Sequence, residues 1–276
     1  MSLIATIDRL CKARIGRTPN WANPTGYNDL IQWLKVYDQR PYHPICCDKL
    51  AVRKWVAGIA GPEVLIPVLA VGANPEALKL RERRSALVVK CTHDSGSAML
   101  VDDAAKIPVI EQRLRKHLSR SYGAEKGEWA YARVPRRVMA EFALPSPVVD
   151  YKFHCAHGWP RWVQVIRERD SGKPRETILA PDGKRMALHM DHKMAHDPDA
   201  AVYPGDEAWA ELSMLARQLA HGWRYVRVDL YWSEGKALFG ELTFWPLSGC
   251  YKTADEPTFG KMLALDLSHR FPPLVT

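Results

Sequence analysis

Residues 224–246 read RYVRVDLYWSEGKALFGELTFWP, with runs of β-branched, aromatic and aliphatic residues on both sides of a short turn sequence that contains Gly235. Such runs around a glycine-containing turn are typical of a β-hairpin. With a turn centred on Gly235, Asp229 lies directly opposite Glu241 on one face of the hairpin. Side chains opposed in this way have Cβ atoms roughly 4.5–5.5 Å apart, and like charges there destabilise the pair.

Two facing carboxylates in an otherwise apolar hairpin need a cation or a shared proton. Oxygen ligands with room left for water and phosphate describe a Mg²⁺ site. Arg227 shares a face with Asp229, and Thr243 shares a face with Glu241, because side chains alternate along a strand. The alternative interpretation is that the two acids are solvated on an exposed strand face.

The composition is that of a globular protein with a cationic surplus. The chain has 276 residues, of which 47% are hydrophobic and 25% charged, and its formal net charge is +8. That charge favours anionic partners, among them nucleotides, acidic polysaccharide, nucleic acid and anionic membrane surfaces. The six cysteines form no C-x-x-C pair, which argues against a zinc ribbon or a disulfide framework. Reduced thiols, no apolar run of membrane-spanning length and no secretory leader at the start predict a cytoplasmic protein.

Helical and strand patterns are mixed along the chain, with hairpins in place of regular βαβ units, which predicts an α+β fold. At the start, the spacing of Leu3, Ile7 and Leu10 predicts an amphipathic helix, which we expect to pack on the domain; contact of its basic face with a membrane surface is the alternative. Residues 171–205 are polar and are expected to form loops. Helices are predicted within 28–34, 48–56, 75–84, 109–120, 209–221 and 260–269, and strands within 64–71, 86–90, 138–144, 150–155 and 162–167.

A candidate phosphate site follows the apolar strand that ends at Lys90. The next residues are small and polar, and among them Gly96 lets a backbone approach a ligand while Ser95 and Ser97 can donate hydrogen bonds. Lys90 adds positive charge. The loop fits no Walker pattern, so an ordinary strand-to-helix turn remains the alternative.

A second candidate is the strand end at Glu141, just before a proline-rich stretch. Its backbone groups can bind a planar base, with Phe142 or Leu144 as an apolar wall. Alternatively, it is only the end of a strand. On the following strand, Asp150 and Lys152 share one face, where they can bind a ligand or form a surface ion pair.

A cluster of histidines lies in the predicted loop region. His189, His192 and His196 surround Asp191, and imidazole with carboxylate suits Zn²⁺. No helical frame fixes their geometry, so we favour a loop that touches an acidic substrate. Three basic runs lack interleaved aromatic residues and are expected to be solvated faces, so no nucleic-acid partner is expected. These runs are residues 79–84, 113–120 and 133–137.

Taken together and in order, these segments resemble the ATP-grasp superfamily, and within it the TupA-like branch linked to teichuronopeptide and other surface polysaccharides. The resemblance runs from about residue 47 to residue 259. The segments that carry it are DKLAVRKWV (48–56), LVVKCTHDSGSAMLV (87–101), VMAEFAL (138–144), DYKFHC (150–155), RVDLY (227–231) and FGELTFWPLSG (239–249).

The resemblance implies a nucleotide site with MgATP. Lys90 is expected to contact the nucleotide phosphates, and the loop 95–97 to fold over them. The strand end 141–144 is expected to bind adenine through main-chain groups, with Asp150 on the ribose. Lys152 is expected to make a further contact to phosphate or substrate.

The resemblance also implies a metal end of the site. Asp229 and Glu241 are the expected Mg²⁺ carboxylates, and Arg227 the arginine that stabilises the acyl-phosphate step. The family's usual third ligand is an asparagine two residues after the glutamate, and this chain has Thr243 there, a weaker ligand. The number of metal ions therefore stays open.

The implied fold has two α+β subdomains that clasp a nucleotide. An ATP-grasp domain is expected over 48–276, with a small nucleotide-clamping lobe at about 86–142 and a larger metal-binding lobe. The helical segment 1–47 is too short for the family's usual N-terminal α/β domain. The acceptor site must therefore be built differently, or by a partner.

The implied activity is that of an ATP-dependent carboxylate–amine ligase, which forms an amide through an acyl phosphate. Its substrates are expected to be an amine and a carboxylate, such as a uronic acid or amino acid in surface polysaccharide biosynthesis. The alternatives are a phosphotransferase on the same fold and a non-catalytic module that binds nucleotide or glycan.

Overall fold

The structure is a computed structural model that describes residues 2–168, 172–196 and 202–271. These residues form two mainly antiparallel sheets with helices packed against them, so the predicted α+β class is confirmed. The helices are α1 Leu3–Ile15, α2 Tyr27–Tyr37, α3 His43–Cys47, α4 Ala51–Ala60, α5 Ile107–Leu118, α6 Asp206–Ala220 and α7 Glu256–Leu263. The strands are β1 Val68–Gly72, β2 Leu87–Cys91, β3 Met99–Val101, β4 Val138–Phe142, β5 Asp150–Ala156, β6 Trp159–Arg167, β7 Arg175–Leu179, β8 Arg185–Met186, β9 Ala195–His196, β10 Tyr225–Ser233 and β11 Lys236–Thr243.

The smaller sheet has the strand order β1-β4-β2-β3 among the described residues. Strand β2 alternates between buried and partly exposed positions, so that Val89 is buried and Lys90 is not. Helix α5 closes the buried face with Ile107, Ile110 and Leu114. This sheet therefore has its own apolar core, separate from that of the larger sheet.

The larger sheet has the strand order β11-β10-β5-β6-β7-β8, and β9 pairs with β7 in parallel. Strand β5 is buried along its whole length because it lies between β10 and β6. Helix α6 covers the sheet, with Leu212 and Leu219 packed in the same core as Phe153 and Trp162. The middle of this sheet is thus shielded from water.

The N-terminal helix packs on the rest of the molecule, as its apolar spacing predicted. Ile7 and Cys11 of α1 are buried together with Cys250. Ser2 caps the helix, since its hydroxyl accepts a hydrogen bond from the backbone nitrogen of Ala5 at 3.2 Å. Among the described residues, none of the helices has the length and apolarity needed to cross a membrane.

Three local predictions are wrong, one of them the helix expected over 260–269, because α7 runs from Glu256 to Leu263. The segment expected to be loop contains β7, whose residues from Glu176 to Leu179 are buried. The polar residues of this segment argued for a loop. In the structure, the carboxylate of Glu176 can be buried in a strand because it accepts hydrogen bonds from the backbone nitrogens of Met190 and Asp191. The helix expected over 75–84 is instead two short 3₁₀ turns, Pro75–Leu78 and Leu80–Glu82.

The hairpin of β10 and β11 forms as predicted, but with a different turn. Ser233 pairs with Lys236, so the turn has two residues, Glu234 and Gly235, both with positive φ (51° and 76°). That turn alone would place Asp229 opposite residue 240. A bulge shifts the register beyond Leu230 and Phe239, and Asp229 pairs with Glu241. The predicted carboxylate pair therefore depends on one extra residue in β11.

That extra residue is Gly240. A Cβ placed there would lie 2.9 Å from Tyr231 Cε2 and 3.0 Å from the carbonyl oxygen of Asp229. These distances are too short for a methyl group without rearrangement. Glycine thus allows the bulged strand to approach β10 closely.

Candidate active site

Arg227 holds the two facing carboxylates together. Its Nε donates to Asp229 Oδ1 at 2.6 Å and a terminal nitrogen donates to Asp229 Oδ2 at 2.7 Å. The same terminal nitrogen is 3.2 Å from Glu241 Oε1 and 3.2 Å from Thr243 Oγ1. Burial disfavours the charged guanidinium, but its interactions with Asp229, Tyr251 and Glu241 together outweigh this, and the pKa of Arg227 lies well above its usual value. Arg227 therefore remains a cation.

Lys152 approaches Asp229 from the other side. It is the cross-strand partner of Asp229 in the pairing of β5 with β10, and its ammonium donates to Asp229 Oδ2. Asp150 Oδ1 lies 4.0 Å from the same ammonium. Asp229, which is 2% exposed, is therefore paired with two cations, as a buried charge must be.

Glu241 is the more accessible acid of the pair. About a third of its side chain is exposed (34%), and its Oε1 accepts a hydrogen bond from the hydroxyl of Thr243 at 2.9 Å. Thr243, the predicted third metal ligand, thus contacts the carboxylate of Glu241, one of the two predicted acidic ligands.

The hydroxyl of Tyr231 is influenced by candidate residues from both sheets. Burial raises the pKa of its hydroxyl well above the usual value, and the charges of four carboxylates raise it further. These carboxylates belong to Asp150, Asp229, Glu241 and Glu141. The acids predicted for the base, the ribose and the metal are therefore all within electrostatic reach of one partly buried side chain.

On the smaller sheet, Lys90 and Glu141 form an ion pair between β2 and β4, with side chains 14% and 7% exposed. Beyond Glu141, the backbone nitrogens of Phe142 and Ala143 donate to the carbonyls of Pro67 and Ala86. Those two N–H groups are thus used within the protein, and Leu144 is the next residue of the predicted adenine-binding segment.

The predicted phosphate loop is held by hydrogen bonds among its own residues and by contacts of Asp94 with His117 and Lys49. Ser97 is buried, accepts from the backbone nitrogen of Cys91 at 2.9 Å and donates to Asp94. Gly96 has a φ of 88° with open space around it, and Ser95 is exposed. Ser95 and Gly96 are therefore accessible to a ligand, whereas Ser97 shapes the loop.

Residues 29–263 match the family model of the TupA-like ATP-grasp proteins. The chain belongs to the TupA-like ATP-grasp family. The resemblance found from the sequence, and the ATP-grasp fold that it implied, are therefore confirmed. No curated protein matches this ATP-grasp chain.

Several solved structures are similar to this TupA-like chain in fold. The RimK domain protein ATP-grasp of Sphaerobacter thermophilus is 16% identical, with a TM-score of 0.43, over 79% of this chain and 66% of that one. The D-alanine–D-alanine ligase of Helicobacter pylori is 11% identical, with a TM-score of 0.49, over 87% and 69%. The ATP-grasp ligase PsnB, complexed with a variant of its minimal precursor, Mg and ADP, is 15% identical, with a TM-score of 0.43, over 85% and 64%. This chain thus spans about two thirds of the length of each.

A cavity of about 700 Å³ lies beside Arg227 and Glu241 in this ATP-grasp fold. Of the predicted site residues, it is lined by Ser95, Lys152, Arg227, Glu241 and Thr243. The other predicted residues are outside the lining of this cavity in the described part of the chain. They are Lys90, Gly96, Ser97, Glu141, Phe142, Leu144, Asp150 and Asp229.

The donor set suits Mg²⁺. Asp229 and Glu241 face each other across the hairpin and offer hard carboxylate oxygens, and Thr243 adds a hydroxyl. In the structure, the guanidinium of Arg227 provides the positive charge between them. A metal ion at this place would require Arg227 to give up part of that contact.

The histidine cluster provides no comparable metal site. Within 2–168, 172–196 and 202–271, no three His, Cys, Asp or Glu side chains are grouped so as to hold a metal ion. His189 instead lies 3.5 Å from the carboxylate of Glu176, and His192 lines the cavity. Of the three histidines, His192 is thus placed to touch a ligand in this cavity, as expected for the loop.

Sequence reasoning missed one group of cavity residues. Tyr122, Glu128, Tyr131 and Trp245 line the cavity, and so does Arg14 of α1. The one available signal was the segment GAEKGEWAY at 123–131, where an acid and aromatic residues follow two glycines. That pattern is too common to predict a site.

Proposed function

We propose that this chain is an ATP-dependent carboxylate–amine ligase that forms an amide through an acyl phosphate, acting on a uronic acid or amino acid of a surface polysaccharide. The observation that carries the proposal is that Arg227 contacts both Asp229 and Glu241, that Lys152 contacts Asp229, and that Arg227, Lys152 and Glu241 line a 700 Å³ cavity. Cavities of this size hold drug-sized ligands.

In the first step, a carboxylate oxygen of the substrate attacks the γ-phosphorus of ATP. A phosphorus–oxygen bond forms, the bond to the β-phosphate oxygen breaks, and ADP leaves. The transferring group carries negative charge, and Arg227 and Lys152 are cations fixed beside it before the reaction begins. They therefore stabilise that charge without having to reorganise.

Lys90 and the accessible part of the loop, Ser95 and Gly96, are proposed to hold the nucleotide phosphates, and Leu144 the adenine. When bound, Mg²⁺ supplies charge neutralisation on the phosphate oxygens. Asp229 and Glu241 would hold it, with Thr243 as a neutral oxygen donor.

In the second step, the nitrogen of an amine attacks the carbonyl carbon of the acyl phosphate. A carbon–nitrogen bond forms, the carbon–oxygen bond to phosphate breaks, and inorganic phosphate leaves. A cationic cavity suits this order of events because both the acyl phosphate and the leaving phosphate are anions.

The test is product analysis with the purified chain. Uronic acids and amino acids are combined pairwise with amines in the presence of MgATP, and phosphate release and product mass are measured. We expect ADP and phosphate only when both co-substrates are present, with a product of amide mass. A stable phosphorylated product would instead identify a phosphotransferase, and MgATP binding without cleavage across the panel would identify a binding module.

A further inference from the structure

Glu128 is a buried acid in the cavity that the ATP chemistry does not use. It is 3% exposed and lines the cavity with Arg227, Glu241 and Thr243. Its Oε1 accepts a hydrogen bond from the hydroxyl of Ser248 at 2.6 Å. Its Oε2 is buried and has no hydrogen-bond partner among the described residues. Leaving such an oxygen without a donor is costly, so a ligand that brings an N–H group stabilises this arrangement.

Aromatic rings stand beside Glu128 in the same cavity lining. The rings of Tyr122 and Tyr131 meet edge to face with centroids 5.0 Å apart, and Trp245 lies 6.4 Å from Tyr131. The ammonium of Lys126 already lies 4.0 Å from the ring centroid of Tyr122. Ring faces attract ammonium groups, and the contact of Lys126 with Tyr122 shows that this wall accepts one near the carboxylate.

Two cationic side chains also line this cavity. Arg14 and Lys252 line the cavity, and Lys252 is exposed. Helix α1, which carries Arg14, packs directly on the turn before Glu128: a Cβ at Gly127 would lie 2.8 Å from Ile7 Cγ1. The cavity thus has the carboxylate of Glu128 in its wall together with the cationic side chains of Arg14 and Lys252.

The charges of Arg14 and Glu128 both influence the pKa of the Cys250 thiol. The hydrogen bond with Cys11 lowers the pKa of the Cys250 thiol to about 7, against the opposing effect of burial. The charges of Lys35 and Arg14 lower it further, and that of Glu128 raises it. Both side chains therefore lie within electrostatic reach of one sulfur.

We propose that the part of the cavity around Glu128 is the amine subsite and that it takes an amino acid. Its ammonium binds Glu128 and the rings of Tyr122 and Tyr131, and its carboxylate binds Arg14 and Lys252. The inference rests on the proposed ligase function and names the class of its amine. It also gives α1 a role, because the residues matched by the family model begin after that helix.

Glu128 then prepares the nucleophile. The ammonium gives one proton to the carboxylate of Glu128, which becomes a neutral acid, and the nitrogen gains a free lone pair. That lone pair forms the carbon–nitrogen bond as the acyl phosphate breaks, the second proton leaves with the phosphate, and Glu128 returns its proton to water. Burial raises the pKa of Glu128, opposed by the charge of Lys35 and the hydrogen bond from Ser248, and a raised pKa suits a proton acceptor at neutral pH.

The first experiment measures binding to the full chain with MgADP by calorimetry. The probes are the common L-amino acids, their N-acetyl derivatives and their decarboxylated amines. We expect at least one amino acid to bind, with its N-acetyl derivative and its amine each weaker by about tenfold or more, because each lacks one of the two charges. Equal binding of either analogue, or no binding of any amino acid to protein that binds MgADP, overturns the inference. Failure to bind MgADP itself counts against the proposed function.

Variants locate the two contacts. Glu128→Gln is expected to weaken the amino acid about tenfold or more and leave MgADP affinity unchanged, whereas Glu125→Gln, an exposed acid of the same turn, changes neither. Arg14→Gln removes a half-buried charge from the surface of α1 and is therefore compatible with folding. It is expected to abolish the preference for the amino acid over its decarboxylated amine, and Lys12→Gln is its exposed control on the same helix. Retained preference in Arg14→Gln with full affinity in Glu128→Gln overturns the assignment.

Discussion

Arg227 forms a two-pronged ion pair with Asp229, at 2.6 and 2.7 Å, in the part of the hairpin where Asp229 faces Glu241. The sequence predicts that Asp229 and Glu241 need a cation between them, and Arg227 of the same chain provides one. A metal ion would join this network and compete with Arg227 for Glu241, whose contact to the guanidinium is longer, at 3.2 Å. The two acids are therefore expected to respond differently to substitution.

Glu241→Gln is expected to abolish turnover and change the free energy of unfolding by less than about 1 kcal/mol, because the side chain is a third exposed. Asp229→Asn is also expected to abolish turnover, but it leaves Arg227 and Lys152 as buried charges with weakened pairing. Loss of a buried partner costs roughly 3–5 kcal/mol. Phosphate release and urea denaturation measure the two effects, with the exposed hairpin residue Glu234→Gln as control. Full turnover in Glu241→Gln would remove this acid from the metal site.

Lys90 and Glu141 form an ion pair, but substitutions of the two residues are expected to affect MgATP affinity differently. Lys90→Met removes a cation proposed to contact phosphate, so MgATP is expected to bind about 10–100 times more weakly. Glu141→Gln is expected to leave that affinity within about threefold, because the proposed adenine contact is made by main-chain groups and a freed Lys90 still carries its charge. Calorimetric titration with MgATP measures both, and Lys106→Met, an exposed lysine, is the control. An equal loss in both variants would mean that the pair only supports the sheet.

The order of elements was predictable because it rests on local patterns. Periodic apolar residues gave α1, α5 and α6 within a few residues, and apolar runs gave β2, β4 and β5. Strand β7 was missed because its burial depends on a distant loop: Glu176 is buried only because the backbone of Met190 and Asp191 donates to it. Local polarity alone argued against a strand there.

The carboxylate pair was predictable because Asp229 and Glu241 lie on one hairpin. Their pairing was predicted from a turn that does not occur, and the bulge at Gly240 produces the same pair. Glu128 was not predictable, because it meets Ser248, 120 residues later, only in the folded chain. Short-range patterns thus identified the acids, and the folded structure was needed to place the residues around them.

Gly240→Ala tests whether the bulge fixes the carboxylate pair. The new methyl group would contact Tyr231 and the backbone of Asp229, so we expect a loss of about 1–3 kcal/mol in the free energy of unfolding and a marked loss of turnover. Gly58→Ala is the matched control. Gly58 lies in α4 with no atom within 4 Å of an added Cβ, so alanine is expected to stabilise the chain by about 0.5–1 kcal/mol. Wild-type turnover and stability in Gly240→Ala would show that the hairpin keeps its register without glycine.

His43 is expected to make folding sensitive to acid. Its ring packs among Trp129, Trp223 and Phe244, and burial lowers its pKa from 6.5 to about 3, with a further lowering by the charge of Arg40. His43 is therefore protonated below about pH 6.5 in the unfolded chain but stays neutral in the folded chain until about pH 3. Its contribution to the free energy of unfolding is fully present above pH 6.5 and is lost as the pH falls from 6.5 toward 3. The slope attributable to this group is roughly 1.4 kcal/mol per pH unit. Urea denaturation between pH 7 and pH 4 is expected to give a shallower decline in His43→Asn than in the wild type, although the variant is less stable throughout; parallel declines would assign the acid sensitivity to other groups.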